Sequence, residues 1–412
     1  MTYHPLLDSF AVVGLTAVVI GFTRATSPIR TACLPVLLGL TWHCLVNCPV
    51  QITRSSWASA VGGYTLSSLM HFVDVALLSG WSFDLQGPAR DLIRGITAKP
   101  AATPAAHSAR GESGFSARLR YGFAVFFSWR FVKTPYQVKH LPQLDPCLLS
   151  SRRRYLWHTT VTIAVCYLIL DIMDSSSDAE VASKFYSPDK IGLFSRLGDI
   201  TIEELFMRFF AAVGLCAGLV SFQRGVYSVV ALVCVGSGLS ASEDWPPFNG
   251  PILQAYSLRR FWSIFWHQIN THRLNTMSNY LLHDILRLQR GGPLVRYVRT
   301  WLIFLLSGVW HVAMDFSSGI AMEQSGALRF FSIQPLGIFI EDLILSRFHV
   351  VPGSRTKQTP ALINRCIGFA WVCLWMAWTA PGYLYPIMDK SSSEDTGVVP
   401  VSVVGYMKYM GG

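Results

Sequence analysis

The sequence predicts an all-α integral membrane protein, folded as a single polytopic membrane domain over residues 1–412 with eight or nine transmembrane helices. Hydrophobic residues make up 51% of the chain and charged residues only 14%, whereas soluble domains carry about 25% charged residues. The mean hydropathy is correspondingly positive, at +0.37. Several apolar runs also approach the roughly 20 residues that a helix needs to cross the hydrocarbon core.

The candidate membrane-spanning runs follow one another along most of the chain. They are Leu6–Thr23, Ile29–Val46, Trp57–Trp81, Tyr155–Met173, Leu205–Phe222, Tyr227–Leu239, Val298–Asp315, Leu328–Leu345 and Leu362–Tyr383. The first run begins within the terminal string MTYHPLLD, which contains no Lys or Arg. Because a secretory signal begins with positive charge, we expect a retained helix. The run Tyr227–Leu239 is short, so a re-entrant or buried segment is an alternative to a crossing there.

The charges of the loops predict the orientation of the chain. Residues 82–154 hold twelve Lys or Arg against four acids, and the net charge of the chain is +10. This basic loop is therefore predicted to be cytoplasmic, and the positive charge to reflect orientation and not nucleic-acid binding. The acidic interval Asp174–Glu204 is predicted to be lumenal. The Arg-rich interval Ser240–Arg299 is predicted to be cytoplasmic because of its positive charge. Two separate crossings at Leu205–Phe222 and Tyr227–Leu239 would instead place it in the lumen.

The basic loop itself contains two kinds of sequence. Its middle, KPAATPAAHSARGESG, is rich in Pro, Ala, Gly and Ser, which predicts a flexible stretch. The following segment, GFAVFFSWRFVKTPYQV, is aromatic and basic. Such a composition favours an amphipathic segment lying on the bilayer surface.

Three polar side chains interrupt the apolar stretch FLLSGVWHVAMDF, from Phe304 to Phe316. Ser307, His311 and Asp315 are each four residues apart, so they project from one face of a helix. Ionisable residues within a membrane are costly and tend to mark function, although many histidines in spans only bond to a neighbouring helix. Asp315 could fix the imidazole tautomer by accepting its second N–H. The favoured interpretation of Asp315 is an interfacial residue at the helix end.

A second informative segment is SEDWPPFNGPILQAYSLRRFWSIFWHQINTHR, from Ser242 to Arg273. After a Pro-rich turn, the pattern predicts a helix over Tyr256–Asn270, with Ser257 as its cap. Arg260 and His267, seven residues apart, would share one side of this helix. The opposite side would be aromatic, which predicts an amphipathic helix at the membrane interface. Its aromatic residues are Phe261, Trp262, Phe265 and Trp266.

These two segments together resemble the wax synthase-like branch of the membrane-bound O-acyltransferases. The string SLRRFWSIFWHQ, from Ser257 to Gln268, is similar to the first motif of that family, and FLLSGVWH, from Phe304 to His311, to the second. The resemblance extends over about Trp245–Tyr385, so residues 242–385 are identified as a wax synthase-like catalytic region. The amino-terminal half resembles the family only in its hydrophobic layout.

The resemblance implies transfer of an acyl group from acyl-CoA to an alcohol, with His311 as general base. A positioned base contributes about 10²–10⁴-fold to such a reaction. Burial disfavours the imidazolium, so the neutral ring stays ready to accept a proton. Ser307, or the backbone beside it, would support the ring. His267 stands where related acyltransferases often have Asn, and it would either donate to the thioester oxygen or pack between helices.

The resemblance also implies which residues hold the substrates. Arg259, Arg260 and Arg273 are candidates for the CoA pyrophosphate, which favours guanidinium forks. Residues 263–265 read Ser-Ile-Phe, where the family often has Gly and Arg, so CoA phosphate binding by this turn itself is not expected. Four rings are predicted to crowd the substrate pocket. They are Trp262, Trp266, Trp301 and Trp310.

The most specific resemblance is to fungal O-acetyltransferases of terpenoid and meroterpenoid biosynthesis. It implies acetyl-CoA as co-substrate, a lipophilic terpenoid alcohol from the membrane as acceptor, and residence in the endoplasmic reticulum. A long-chain acyl-CoA:fatty alcohol wax ester synthase is the alternative enzyme. A transporter with an intramembrane His/Asp relay is the alternative of another class, although the sequence lacks a clear internal repeat. No metal site is predicted, because there is no CxxC pair or Cys/His spacing.

Overall fold

The computed structural model of the protein describes residues 3–89, 114–176, 178–347, 362–392 and 397–411. Within these ranges nearly all regular structure is helical. The exception is a two-stranded antiparallel hairpin, in which β1 (Trp81–Ser82) pairs with β2 (Gly87–Pro88). The predicted all-α fold class is therefore confirmed.

The helices follow one another along the described chain. They are α1 (Pro5–Phe22), α2 (Pro28–Gln51), α3 (Ser55–Phe72), α4 (Phe115–Phe127), α5 (Pro146–Leu149), α6 (Arg152–Ser175), α7 (Ala179–Phe185), α8 (Ile202–Ser237), α9 (Leu258–Arg260), α10 (Thr271–Asn279), α11 (Pro293–Ser317), α12 (Ala327–Arg347), α13 (Leu362–Thr379), α14 (Pro381–Ser392) and α15 (Val403–Gly411). Segments of π-helix continue α3 (Val73–Leu78), α9 (Phe261–Phe265) and α10 (Tyr280–Ile285). Short 3₁₀ turns occupy Pro188–Lys190, Phe194–Arg196, Ser242–Asp244 and Ile252–Gln254.

In the described parts of the chain, seven helices are long and apolar enough to cross a membrane: α1, α2, α3 with its π-helical continuation, α6, α8, α11 and α13. The predicted count of eight or nine is not reached. The run Leu328–Leu345 does form a helix, α12, but its apolar sequence contains the charged residues Arg329, Glu341 and Asp342. The other difference concerns α8.

Helix α8 joins the two predicted spans Leu205–Phe222 and Tyr227–Leu239. It continues for 36 residues, a length of about 54 Å at 1.5 Å per residue. The predictions of a separate or re-entrant segment at Tyr227–Leu239 are wrong. Gln223, Arg224 and Gly225 are polar or small, but without a proline they do not break the helix. One crossing by α8 would place the acidic and Arg-rich intervals on opposite sides, in agreement with their charges.

The chain divides into two compact units, each built from two separate stretches. The first comprises Met1–Lys139 and Ile269–Met322, and the second comprises His140–Gln268 and Glu323–Gly412. Helices α1–α4, α10 and α11 therefore belong to the first unit, and α5–α9 and α12–α15 to the second. The region 242–385, identified above from its resemblance, contributes residues to both units.

In the first unit, α4 packs directly on α1 through two glycines. A β-carbon at Gly122 would lie 1.9 Å from the Ala17 carbonyl oxygen, and one at Gly21 would lie 2.3 Å from that of Arg118. This close approach buries Tyr121, together with Val125, Phe126 and Phe131. Several residues of the segment 122–138 therefore belong to the core, while Phe127 is 62% exposed; the position of this segment on the bilayer surface stays a prediction. Residues 99–113 of the predicted flexible stretch lie outside the described residues.

Candidate active site

The three polar residues Ser307, His311 and Asp315 lie on α11, in the first unit. The Nδ1 atom of His311 is 2.7 Å from the carbonyl oxygen of Ser307 and 3.5 Å from the Ser307 hydroxyl oxygen. A carbonyl oxygen can only accept, so Nδ1 carries the proton and donates it. In the neutral ring the lone pair is then on Nε2. The backbone one turn earlier thus orients the imidazole as a base.

Asp315 lies in the last turn of α11 and is 4% exposed. The carbonyl oxygen of Asp315 accepts hydrogen bonds from the Ser318 hydroxyl at 2.7 Å and from the Ile320 amide at 3.0 Å. This end of the helix is packed, since Phe316 stacks on Trp42 of α2 with ring centroids 6.0 Å apart. The predicted position at the helix end is correct, but the residue is buried there.

Trp310 packs its ring against the ring of the proposed base. Its ring meets the His311 ring edge-on, with centroids 4.5 Å apart and an interplanar angle of 88°. The indole Nε1 atom is buried and has no hydrogen-bond partner in the described part of the chain. An indole N–H can only donate, and a buried donor without an acceptor costs about 1–3 kcal/mol. The sequence predicts Trp310 only as a pocket ring, because a sequence cannot show an unsatisfied atom.

In the second unit, the helix of the first motif is shorter than predicted. Ser257 is its cap, as expected, since its hydroxyl oxygen accepts from the Arg260 amide at 3.2 Å. The helix continues in π-helical form only to Phe265, and Trp266 is extended. The Phe265 carbonyl accepts from the Gly250 amide at 2.9 Å, a contact with a loop in place of a further helical turn. The prediction of a helix to Asn270 is therefore wrong.

His267 follows this helix and lies in an extended segment. It does not share a helix face with Arg260, contrary to the prediction. Its ring contacts the rings of Phe248 and Trp266, with centroids 5.5 and 5.3 Å away. The adjacent Gln268 is buried, and its amide donates to the Trp266 carbonyl at 2.9 Å. His267 belongs to the second unit and His311 to the first.

Two of the three candidate arginines have protein acceptors in the second unit. Arg259 forms an ion pair with Asp342, and its backbone amide donates to Glu341. Arg260 donates to the backbone and side-chain oxygens of Gln254, and its guanidinium lies 4.5 Å from the centre of the Tyr256 ring. These contacts hold the start of the motif helix and do not support an open phosphate-binding fork.

Arg273 is a buried cation of the first unit, with 1% exposure. Its guanidinium donates to the carbonyls of Ser67 and Ile269, and it lies 4.2 Å from the centre of the Trp129 ring. Burial lowers the pKa of Arg273 to about 9. The side chain therefore joins α10 to α3, and these contacts do not support the predicted role in CoA binding.

The four candidate pocket rings have different surroundings. Trp262 packs in the second unit against Trp266 at 5.8 Å and Phe331 at 5.9 Å between ring centroids. Trp301, in contrast, is 56% exposed on α11. The Trp301 ring is therefore not packed as the Trp262 ring is, and its place in the substrate pocket stays a prediction. Among the residues that the structure describes, no cluster of His, Cys, Asp and Glu could hold a metal ion.

An all-helical membrane chain with an oriented imidazole in an apolar helix has the features of a membrane-embedded transfer enzyme. Residues 245–333 match the membrane bound O-acyl transferase family. The acetyltransferase aurG of Calcarisporium arbuscula is 30% identical over 393 residues, which cover 94% of each chain. The acetyltransferase fsoF of Humicola fuscoatra is 30% identical over 93% of this chain and 95% of its own.

The acetyltransferase TRI7 of Fusarium sporotrichioides is 30% identical over 68% of this chain and 66% of its own. No solved structure matches the chain. The chain belongs to the membrane-bound O-acyltransferase family. It is therefore an integral membrane enzyme that uses an acyl donor and an alcohol, and the transporter alternative is set aside.

Proposed function

We propose that this enzyme transfers an acetyl group from acetyl-CoA to a hydroxyl of a lipophilic terpenoid or meroterpenoid, in the membrane of the endoplasmic reticulum. The observation that carries the chemical part is the contact of 2.7 Å between His311 Nδ1 and the Ser307 carbonyl. The names of the relatives aurG, fsoF and TRI7 support acetyl as the transferred group. The exposed apolar side chains of α11, such as Leu305 and Val309, support an acceptor drawn from the membrane.

In the proposed reaction, His311 Nε2 accepts the proton of the acceptor hydroxyl as the oxygen attacks the thioester carbonyl. The carbon–sulfur bond then breaks, and the departing CoA thiolate takes the proton from the imidazolium. Negative charge develops on the carbonyl oxygen during the attack, and a donor aimed at that oxygen stabilises it. Trp310 Nε1 is suited to this role because it is a buried donor beside the base.

A role for His267 in binding the donor substrate is also part of the proposal. Its position in the first motif favours a polar contact with the donor substrate, and its packing against Phe248 and Trp266 favours a fixed ring. We place the CoA-binding contribution of this motif on His267 and not on Arg259, because that arginine is already paired with Asp342.

A long-chain wax ester synthase is the alternative enzyme. A long acyl chain requires an apolar tunnel, in which each buried CH₂ adds about 0.8 kcal/mol to binding. The close packing of the Trp262, Trp266 and Phe331 rings leaves little room for a long acyl chain among them, which favours a short donor if this cluster holds the acyl group.

The proposal is tested with microsomes that contain the full chain, supplied with labelled acetyl-CoA or palmitoyl-CoA and a panel of terpenoid and fatty alcohols. We expect labelled acetate to appear in a terpenoid ester. An ester formed only from palmitoyl-CoA and a fatty alcohol would establish the wax synthase alternative. No ester from any pair, with the protein present in the membrane, would contradict both.

A further inference from the structure

A second histidine of the first unit is held by a buried carboxylate, and the mechanism above does not use it. The Nδ1 atom of His272 lies 2.6 Å from Asp74 Oδ2. The Asp74 side chain is fully buried, and its other oxygen accepts from the Ser79 hydroxyl at 3.1 Å. The His272 ring also packs on Phe131, with centroids 4.3 Å apart. The ring is therefore fixed on two sides.

This arrangement leaves one polar atom of His272 for another molecule. The carboxylate accepts the Nδ1 proton, so in the neutral ring Nε2 is a hydrogen-bond acceptor. Nε2 makes no hydrogen bond within the described ranges, and the side chain is 19% exposed. Asp74 itself lies in the π-helical segment Val73–Leu78, and such segments are frequent at functional sites.

Contacts between α3 and α11 show how far the His272–Asp74 pair lies from His311 along the axis of α11. The Ser317 hydroxyl lies 3.4 Å from the Ala58 carbonyl oxygen, and Gly63 lies against Met314. The two helices thus run in opposite directions. At 1.5 Å per residue, Asp74 falls about 12 Å from the level of His311, towards the amino end of α11.

That end of α11 is the basic end. Arg296 and Arg299 lie in its first turns, and Arg287 and Arg290 precede it. The phosphates of a bound acyl-CoA favour a basic site such as the amino end of α11. The thioester of the same molecule must reach His311. The pantetheine arm, which joins the two, must then pass the interval that contains His272.

The length and chemistry of that arm match the position of the pair. An extended chain gains roughly 1.2 Å per bond, so the amide farther from the sulfur lies about 8 Å beyond it. The hydroxyl oxygen of the acceptor alcohol lies between His311 and the thioester, which adds about 3 Å to the distance from His311 to that amide. An amide N–H that leaves water needs a new acceptor, because burying it unpaired is costly.

We propose that the His272–Asp74 pair binds the pantetheine arm of acyl-CoA, with His272 Nε2 accepting a hydrogen bond from the distal amide N–H. This inference rests on the proposed function, because it requires acyl-CoA as the donor. It assigns a site that neither the two motifs nor the arginines provide. Asp74 acts as a positioning residue, which holds the ring for the ligand.

The test uses the purified full-length protein and its affinity for CoA, which needs no acceptor alcohol. His272→Asn keeps a side-chain N–H close to the position of Nδ1, and so the contact with Asp74, but it lacks an atom at the position of Nε2. We expect CoA to bind about tenfold more weakly to this variant. The affinity for adenosine 3′,5′-bisphosphate, which lacks the pantetheine arm, should not change.

A matched control is His283→Asn in the same unit, because His283 Nδ1 likewise donates to a neighbour, the Leu288 carbonyl at 2.8 Å. This variant should bind CoA as the wild type does. As a second measurement, kcat/KM of His272→Asn should fall about tenfold with acetyl-CoA and remain near wild type with S-acetyl-N-acetylcysteamine, which lacks the distal amide.

The outcomes separate the two proposals. Equal CoA affinity in wild type and His272→Asn would overturn the pantetheine site and leave the acyltransferase proposal intact. Equal losses for CoA and adenosine 3′,5′-bisphosphate, or for both thioesters, would show a structural role and also overturn the site. A wild-type protein that binds neither CoA nor acetyl-CoA would overturn the proposed function together with this inference.

Discussion

The carbonyl oxygen of Ser307 lies 2.7 Å from the Nδ1 atom of His311, one helical turn later in α11. This contact uses the backbone of Ser307 and leaves its hydroxyl at 3.5 Å. The orientation of the proposed base therefore depends on the helix and not on the serine side chain. Replacing His311 should therefore lower the activity far more than replacing Ser307.

His311→Ala should remove acyl transfer while the protein remains inserted in the membrane. The loss should be on the order of 10²–10⁴-fold, the usual contribution of a general base. Ser307→Ala is the matched control, and it should retain activity within a few-fold because the carbonyl acceptor remains. Rates of acetyl transfer in microsomes, normalised to protein amount, give both values. Activity of His311→Ala above about a tenth of wild type would remove the assignment.

Trp310→Phe should lower kcat by about 10²–10³-fold, the range measured for loss of an oxyanion donor. KM for acetyl-CoA should change little, because the hydrogen bond strengthens mainly as charge develops. The melting temperature should not fall, since the substitution removes a buried donor that has no partner in the described structure. A lower melting temperature with unchanged kcat would instead indicate a packing role.

Trp262→Ala should increase the use of longer acyl donors if the packed rings of the second unit close the acyl tunnel. We expect wild-type kcat/KM to favour acetyl-CoA over palmitoyl-CoA, and the variant to reduce that preference by at least about tenfold, since each accommodated CH₂ adds about 0.8 kcal/mol. Trp301→Ala is the control, because that ring is 56% exposed, and it should leave the preference unchanged. Wild-type turnover that is equal or higher with palmitoyl-CoA would favour the wax synthase.

The single crossing of α8 predicts the sides on which two loops lie. Arg290→Cys and Glu180→Cys, each in a background with Cys147 replaced by Ala, introduce exposed thiols in the Arg-rich and acidic intervals. An impermeant thiol reagent added to sealed microsomes should label the cysteine at position 290 and not the one at position 180. Labelling of both, or of position 180 alone, would contradict the orientation inferred from loop charge.

Sequence alone determined the features of this protein that depend on local periodicity. Apolar runs predicted the membrane helices, a four-residue spacing placed Ser307, His311 and Asp315 on one helix, and Ser257 was recognised as a helix cap. These predictions succeed because helix formation and capping depend on residues within one or two turns. The two motifs likewise indicated the family without any structure.

Tertiary structure decided where helices end and which distant side chains meet. The motif helix ends at Phe265, where Trp266 becomes extended and the Phe265 carbonyl accepts from the Gly250 amide. A pattern of neighbouring residues carries no sign of that distant partner. The pair of His272 and Asp74 joins residues 198 positions apart. Only the packing of α10 against the end of α3 brings them together, because an ion pair of this kind requires atoms within about 4 Å and has no signature in sequence spacing.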